Sequence, residues 1–302
     1  MNVAENLKTA MRPAYRKIMD FLPTRWHVIA DYFRVYRRFP DLNNPRTFSE
    51  KIMWRKLYDR DPRLPGLVDK VRVKEIMAER FGADFIIPTL AVFETADALD
   101  FSKPPLSQPP YVIKANHCSG TNIIVRSGES PDPRKIKKKL AKYLKFDHAA
   151  VAEEWAYSLV PQRIFVEPYI EIPTSSLSDY KFHVFSGTVY AIEVIVDRFR
   201  NYGVSFYDRD WNLLDIGFAG RRYPRYKGML QPPAHLADMI RRAEEIGEDF
   251  SYIRVDLYDI GDQIKLGELT FYPGAGHDPF DPIEWDDKFG QQWQLDKTAS
   301  NA

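Results

Sequence analysis

The stretch 253–271, IRVDLYDIGDQIKLGELTF, decides how this chain is read. Gly261-Asp262 is a turn signal between two runs of alternating residues, the pattern of a β-hairpin. With the turn centred on 262, Asp256 faces Glu268 and Arg254 faces Thr270. Strand alternation puts these four side chains on one face. Val255, Leu257, Leu269 and Phe271 then point the other way, into a core. A change in loop length by one residue would offset the pairs and keep the cluster together. Two carboxylates directly opposite each other repel unless a cation sits between them. Oxygen ligands from Asp, Glu and a hydroxyl suit Mg²⁺, which completes its shell with water and phosphate. The hairpin therefore predicts one of two things. Either it is a metal and nucleotide site, with Arg254 placed to stabilise charge on a transferring phosphoryl group, or it is a structural ion-pair network around Arg254.

Working outward, other residues fit the first alternative. Lys114 sits in an apolar strand, YVIKA (111–115), where an unpaired ammonium is costly and needs an anion. The adjacent loop 117–122, HCSGTN, is small and polar, and its backbone N–H groups suit phosphate. It is not a Walker A sequence. Lys70, in VDKVRVK, reads as an ordinary helix lysine, and Lys181, in DYKFHVF, lies in a strand whose inward face is not fixed by its pattern.

The remaining elements point to an α+β fold. Thr47 and Glu50 have capping-box spacing, so a helix begins there. A second helix, 67–82, is expected to end at Gly82. Residues 85–93 read as a strand, 102–110 as a Pro-rich loop, and 134–145 as an amphipathic helix with seven Lys and Arg. The second half is mostly strand (163–170, 179–187, 188–198, 204–215 and the hairpin), interrupted by a helix over 233–247.

Composition bounds the function classes. The 302 residues carry 43 Lys+Arg against 42 Asp+Glu, with 44% hydrophobic and 28% charged residues, which is ordinary globular composition. The near-neutral total argues against a general nucleic-acid binder. No apolar run approaches the roughly 20 residues of a spanning helix, and the first residues lack the apolar core of a secretory signal. A lone cysteine, Cys118, excludes an internal disulfide framework and Cys-rich zinc sites. A cytoplasmic protein is the expectation. The charge is nevertheless polarised. The first 40 residues hold eight basic side chains against three acidic ones, interleaved with aromatics, and residues 276–302 hold six acids against two lysines. The basic end suits an anionic membrane surface or substrate, or is simply a helical cap with a solvated face.

Seven motifs in order resemble the ATP-grasp superfamily, and most closely its TupA-like polysaccharide-biosynthesis branch. They are FSEKIMWRKLYDRDP (48–62), VDK (68–70), YVIKANHCSGTNIIV (111–125), VEPYIE (166–171), SDYKFHVFSG (178–187), IRVDLY (253–258) and LGELTFYPGAG (266–276). The resemblance covers about 50–290. It implies two α+β lobes that close over ATP, preceded by a basic, mostly helical segment, 1–46. The core would divide into 47–110, a nucleotide-lid subdomain 111–162 with the phosphate loop, and a C-terminal lobe 163–302 with the metal-binding hairpin. Lys70 and Lys114 look like the lysines that hold the ATP phosphates, and the loop containing His117, Ser119, Gly120 and Thr121 like the lid over them. Glu167 looks like the acceptor of the adenine amino group, with Tyr169 and Ile170 supplying hinge backbone. The ribose carboxylate is Glu171 or Asp179. Asp256 and Glu268 look like Mg²⁺ ligands, and Thr270 stands where many relatives have Asn. Arg254 resembles the arginine that stabilises an acylphosphate step, and Lys181 belongs to a motif of the branch. The implied activity is ATP-dependent ligation of a carboxylate to an amine with release of ADP. The implied partners are a carboxylate-bearing glycan or sugar precursor, such as a uronic acid, and an amine or amino acid, with possible contact at the inner membrane face.

Other readings compete. Asp208-Arg209-Asp210 is a D-x-D triplet that would serve a glycosyltransferase, although a turn explains it more simply. A kinase would use the same hairpin, and a non-catalytic nucleotide-binding scaffold would keep ATP binding without turnover. His117 and His277 fall in expected active-site loops, whereas Cys118 lacks an orienting partner for nucleophilic catalysis.

Overall fold

The computed structural model describes residues 23–170, 179–196, 202–220 and 223–295. The first 22 residues of the basic N-terminal segment and the ribose candidate Glu171 lie outside the described residues.

The first helix among the described residues is α1 (Thr24–Tyr36), which buries Val28 and Tyr32 against α2 (Phe48–Tyr58). The expected capping box starts α2: the Glu50 N–H donates to Thr47 Oγ1 at 3.3 Å, and the Thr47 N–H donates to the Glu50 carboxylate at 3.2 Å. The region read as one helix over 67–82 is broken into α3 (Leu64–Val68) and α4 (Arg72–Phe81), the latter ending at Gly82 as expected. The cause is Asp69. Its Oδ1 accepts the N–H groups of Val71 and Arg72 and the Asn116 amide, and its Oδ2 accepts Arg163. Lys70 therefore stands at a pinned corner rather than within a helix. Of the strand read over 85–93, only β1 (Ala91–Phe93) forms. Pro88, which lacks an N–H, lies in the irregular stretch before it.

The smaller lobe is a four-stranded antiparallel sheet, ordered β1, β4 (Ile164–Pro168), β2 (Tyr111–Ala115), β3 (Ile123–Val125). The basic helix α5 (Pro133–Leu144) buries Ile136 and Leu140 against the core formed by Tyr111, Ile113, Val125, Ile164 and Val166. Alternation leaves Val112, Lys114, Phe165 and Glu167 on the opposite face. A short helix, α6 (His148–Ala152), leads back to β4.

The larger lobe is a six-stranded antiparallel sheet containing β5 (Asp179–Phe185), β6 (Thr188–Val196), β7 (Gly203–Tyr207), β8 (Leu213–Leu214), β10 (Ile253–Asp259) and β11 (Ile264–Thr270), ordered β11-β10-β5-β6-β7-β8. Helix α7 (Leu236–Gly247) packs Met239, Ile240, Ala243 and Ile246 onto one face of β5, β6 and β10. Val255, Leu257, Leu269 and Phe271 are buried, as the hairpin pattern requires. A two-stranded pair, β9 (Gly217–Phe218) with β12 (Phe280–Asp281), and helix α8 (Glu284–Gln292) complete the lobe. This is the expected α+β arrangement of two lobes. No described helix is long and apolar enough to cross a membrane.

Candidate active site

The hairpin forms with the expected register at its functional end: Asp256 opposite Glu268 and Arg254 opposite Thr270. It reaches that register by a different route. Asp259 pairs with Ile264 at the tip, one residue out of step with a turn centred on 262. A bulge at Gly267 absorbs one residue and restores the pairing. Only glycine fits there, because a Cβ would lie 2.9 Å from the Tyr258 ring and 3.1 Å from the Asp256 carbonyl oxygen.

Register carries the cluster across four strands. Glu193 on β6 faces Lys181 on β5, Lys181 faces Asp256 on β10, and Asp256 faces Glu268 on β11. The next row holds His183, Arg254 and Thr270. All seven line one cavity of about 1470 Å³, whose opposite wall carries Lys70, Lys74, Lys114 and Glu167. Lys181, whose orientation the sequence left open, thus points into the cleft.

Ion pairs knit the two walls. The Lys181 ammonium donates to Asp256 at 2.5 Å and to Asp179 at 2.9 Å. The Arg254 guanidinium donates to both Asp256 oxygens at 2.7 and 2.9 Å and to Thr270 Oγ1 at 3.0 Å. Burial works against these cations, but the neighbouring carboxylates outweigh it and raise both Lys181 and Arg254. Lys70 crosses the cleft to Glu268 at 2.6 Å. Burial would raise the Glu268 carboxyl, yet Lys70, with Arg254 and Lys181, brings it down to about 2. Lys114 pairs with Glu167, so the anion its strand position demands is supplied by the protein itself. Lys74, which the sequence reading missed, donates to the other Glu167 oxygen at 2.7 Å. Its only signal in sequence is its place one helical turn after Lys70. Burial opposes ionisation of Glu167, and Lys114 and Lys74 together hold it below the ordinary value.

The other candidates divide. Ser119 and Gly120 face the cavity, Gly120 with a φ of 71°. Thr121 turns inward, its Oγ1 accepting the Ala115 N–H at 3.0 Å and closing the loop on β2. His117 is buried beneath the loop, where burial lowers it and the backbone of Tyr143 and Phe146 partly offsets the effect. Burial raises the Cys118 thiol, which argues against a nucleophile. Tyr169 and Ile170 follow the end of β4 but do not line the cavity. Asp179 opens β5 beside Lys181. His183 faces Arg254 from the neighbouring strand, bonded to the Tyr252 hydroxyl at 3.0 Å, and burial lowers it. The D-x-D triplet is a turn: Asp208 Oδ1 accepts the N–H groups of Asp210 and Asn212 at 2.9 and 2.8 Å.

No group of three or more His, Cys, Asp and Glu side chains arranged for a metal occurs among the described residues. The oxygen donors that suit Mg²⁺ are Asp256 and Glu268, opposed on adjacent strands with the cavity in front of them. Two carboxylates are a normal protein share for this ion, water and phosphate supplying the rest. Thr270 Oγ1 accepts Arg254 at 3.0 Å and keeps a second lone pair beside Asp256 and Glu268.

A family profile described as TupA-like ATPgrasp matches residues 50–294. No curated protein matches. Among solved structures, D-alanine–D-alanine ligase from Bacillus anthracis is 17% identical over 68% of this chain and 57% of that one, with a TM-score of 0.39. The corresponding ligase from Helicobacter pylori is 13% identical over 82% and 69%, with a TM-score of 0.39. The ATP-grasp ligase PsnB, complexed with a phosphomimetic variant of its minimal precursor, Mg and ADP, is 10% identical over 81% and 66%, with a TM-score of 0.41. The chain spans little more than half the length of the Bacillus enzyme. The profile covers most of the chain, including both walls of the cavity, and the chain belongs to the TupA-like ATP-grasp family.

Proposed function

We propose that the protein is an ATP-dependent ligase joining a carboxylate to an amine through an acylphosphate, releasing ADP when the acylphosphate forms and phosphate when the amine displaces it. The observation that carries this is the single cavity in which Lys70, Lys74 and Lys114 face Arg254, Asp256 and Glu268. The three lysines neutralise and align the nucleotide phosphates. Asp256 and Glu268 hold magnesium, which supplies further charge neutralisation when bound. Arg254, fixed by Asp256 and Thr270, meets charge developing on the transferred phosphoryl group, and Lys181 aligns the carboxylate that attacks it. Ser119 and Gly120 cover the phosphates. Asp179 or Glu171 takes the ribose.

The cavity is larger than a nucleotide needs, which supports a second substrate in the same space. We take it to be a uronic acid of a cell-surface polysaccharide or its precursor, ligated to an amino acid or a related amine. We also propose that the enzyme works in the cytoplasm, peripherally at the inner membrane face. Trp26, Phe33 and Phe39 are exposed on and just after α1, among Arg25, Arg34 and Arg37, a combination that suits an anionic interface. Cosedimentation with anionic but not neutral vesicles tests that point.

The decisive experiment is an ADP-release screen of uronic acids and related carboxylates against amines, read by product mass. An amide mass supports ligation. A stable phosphorylated acceptor would identify a kinase, and a glycoside without ADP release would overturn both.

A further inference from the structure

Beyond Thr270 the cavity continues past the hairpin. Its wall there is α1, the 148–154 segment and the 272–278 loop, and it is lined by Asp31, Glu153, Glu154 and His277. Glu153 is the unusual member. Its side chain is 7% exposed, and it follows α6 with a φ of 54°, a conformation that non-glycine residues rarely adopt. Its Oε2 accepts no hydrogen bond among the described residues. Lys56 approaches that oxygen at 3.8 Å, but its ammonium, fully buried, makes no hydrogen bond among them either. His27 stands 4.0 Å from the other oxygen. On the loop that follows β11, the buried Nε2 of His277 is also without a hydrogen-bond partner among the described residues. Glu153 and His277 thus line the cavity, each with a buried polar atom that has no hydrogen-bond partner among the described residues, and such vacancies cost free energy unless something fills them.

We propose that this end of the cavity binds the primary ammonium group of the second substrate, with Glu153 as its anchor, Asp31 as a second negative charge and His277 as a further acceptor. An ammonium group offers three N–H donors and one positive charge, which would meet the unpartnered Glu153 oxygen, whereas Asp31 already accepts a hydrogen bond from Arg34 at 3.1 Å. Glu154 beside it has one oxygen held by His148 at 3.1 Å. The electrostatics agree. Burial raises Glu153 to about 7 despite the attraction of Lys56, and Asp31 adds to the rise, so the present cations do not meet its charge. The proposal takes its place in catalysis from the ligase reading, since it sets the amine on the far side of the hairpin from the lysines. The binding itself can be measured without turnover.

The test is calorimetric titration of the full chain with primary amines, namely methylammonium, ethanolamine and the common amino acids, with and without a non-hydrolysable ATP analogue and magnesium. At least one amine should bind, its hydroxyl counterpart should not, and Glu153→Gln should weaken it tenfold or more while leaving analogue affinity unchanged. Asp31→Asn should weaken it about threefold, and this variant serves if Glu153→Gln fails to fold. Absence of amine binding in the whole panel, or equal binding by the folded variants, overturns the proposal. Loss of analogue binding with retained amine binding would instead break the ligase reading and leave the ammonium site standing.

Discussion

The two walls of the cleft carry opposite surpluses of charge. On the smaller lobe and its adjoining corner, Lys70, Lys74 and Lys114 outnumber Glu167. On the sheet of the larger lobe, Asp179, Glu193, Asp256 and Glu268 outnumber Lys181 and Arg254. Lys70 to Glu268 is where the two surpluses meet. A wall with spare cations suits phosphate, and a wall with spare carboxylates suits a metal ion, so the contrast orients a nucleotide between them. The far end supplies a control. Glu167, with two lysines in contact, is held below the ordinary range, whereas Glu153, with one lysine at 3.8 Å, rises to about 7.

The contrast breaks most directly at the acidic wall. Glu268→Gln should lower ADP release by at least about a thousandfold while the fold survives, because its side chain is 33% exposed. Near-normal release would remove the metal role. Asp256→Asn should do the same and also destabilise, by on the order of 3 kcal/mol, since it strips two buried cations of their shared partner. Thermal denaturation of the two variants separates these effects.

The far-end control is tested by pH in the metal-free protein. A carboxyl ordinarily near 4.5 that sits near 7 in the fold binds a proton that the unfolded chain has lost. Its contribution is favourable at low pH and is lost as pH rises from about 4.5 to 7. The loss is on the order of 3 kcal/mol. Denaturant midpoints over that window should therefore fall more steeply in the wild type than in Glu153→Gln. Lys56, Asp31, His27 and Glu154 are the charged or titratable groups that act on it, and equal slopes in the two proteins would remove Glu153 as the cause.

On the basic wall, Lys114→Ala should weaken ATP binding by 10- to 100-fold in calorimetry. Lys74→Ala should follow by a smaller factor, because Lys114 remains to meet the phosphates. Unchanged affinity in both would mean that the phosphates do not lie against this lobe.

What was legible in the sequence follows the range of the forces involved. The hairpin register was readable because alternation and a turn are local, and its bulge was not, because Gly267 answers to the ring of Tyr258 rather than to its neighbours. The capping box of α2 was readable for the same reason. The break at Asp69 was not, since its causes include Asn116 and Arg163, 47 and 94 residues away. Lys114 announced that it needed an anion, but only the diagonal packing of β2 and β4 identifies Glu167. Glu193 and Glu153 gave no local signal, being ordinary acids until strand pairing or burial gives them neighbours.

The mildest variants sharpen the contrast by sparing both surpluses. Thr121→Ala removes the hydroxyl that accepts the Ala115 N–H and leaves a buried donor unmatched. The cost should be about 1–2 kcal/mol in stability, with at most a few-fold rise in the KM for ATP. Asp210→Asn lies further out. The Asp210 N–H, not its carboxylate, makes the turn bond to Asp208, and the residue does not line the cavity. ADP release should stay within twofold of wild type and stability within about 0.5 kcal/mol. A large loss of activity from this single charge would move the chemistry out of the cleft and onto the D-x-D turn, where a sugar nucleotide and its metal would have to bind. The charge surplus of the two walls would then be a feature of folding alone.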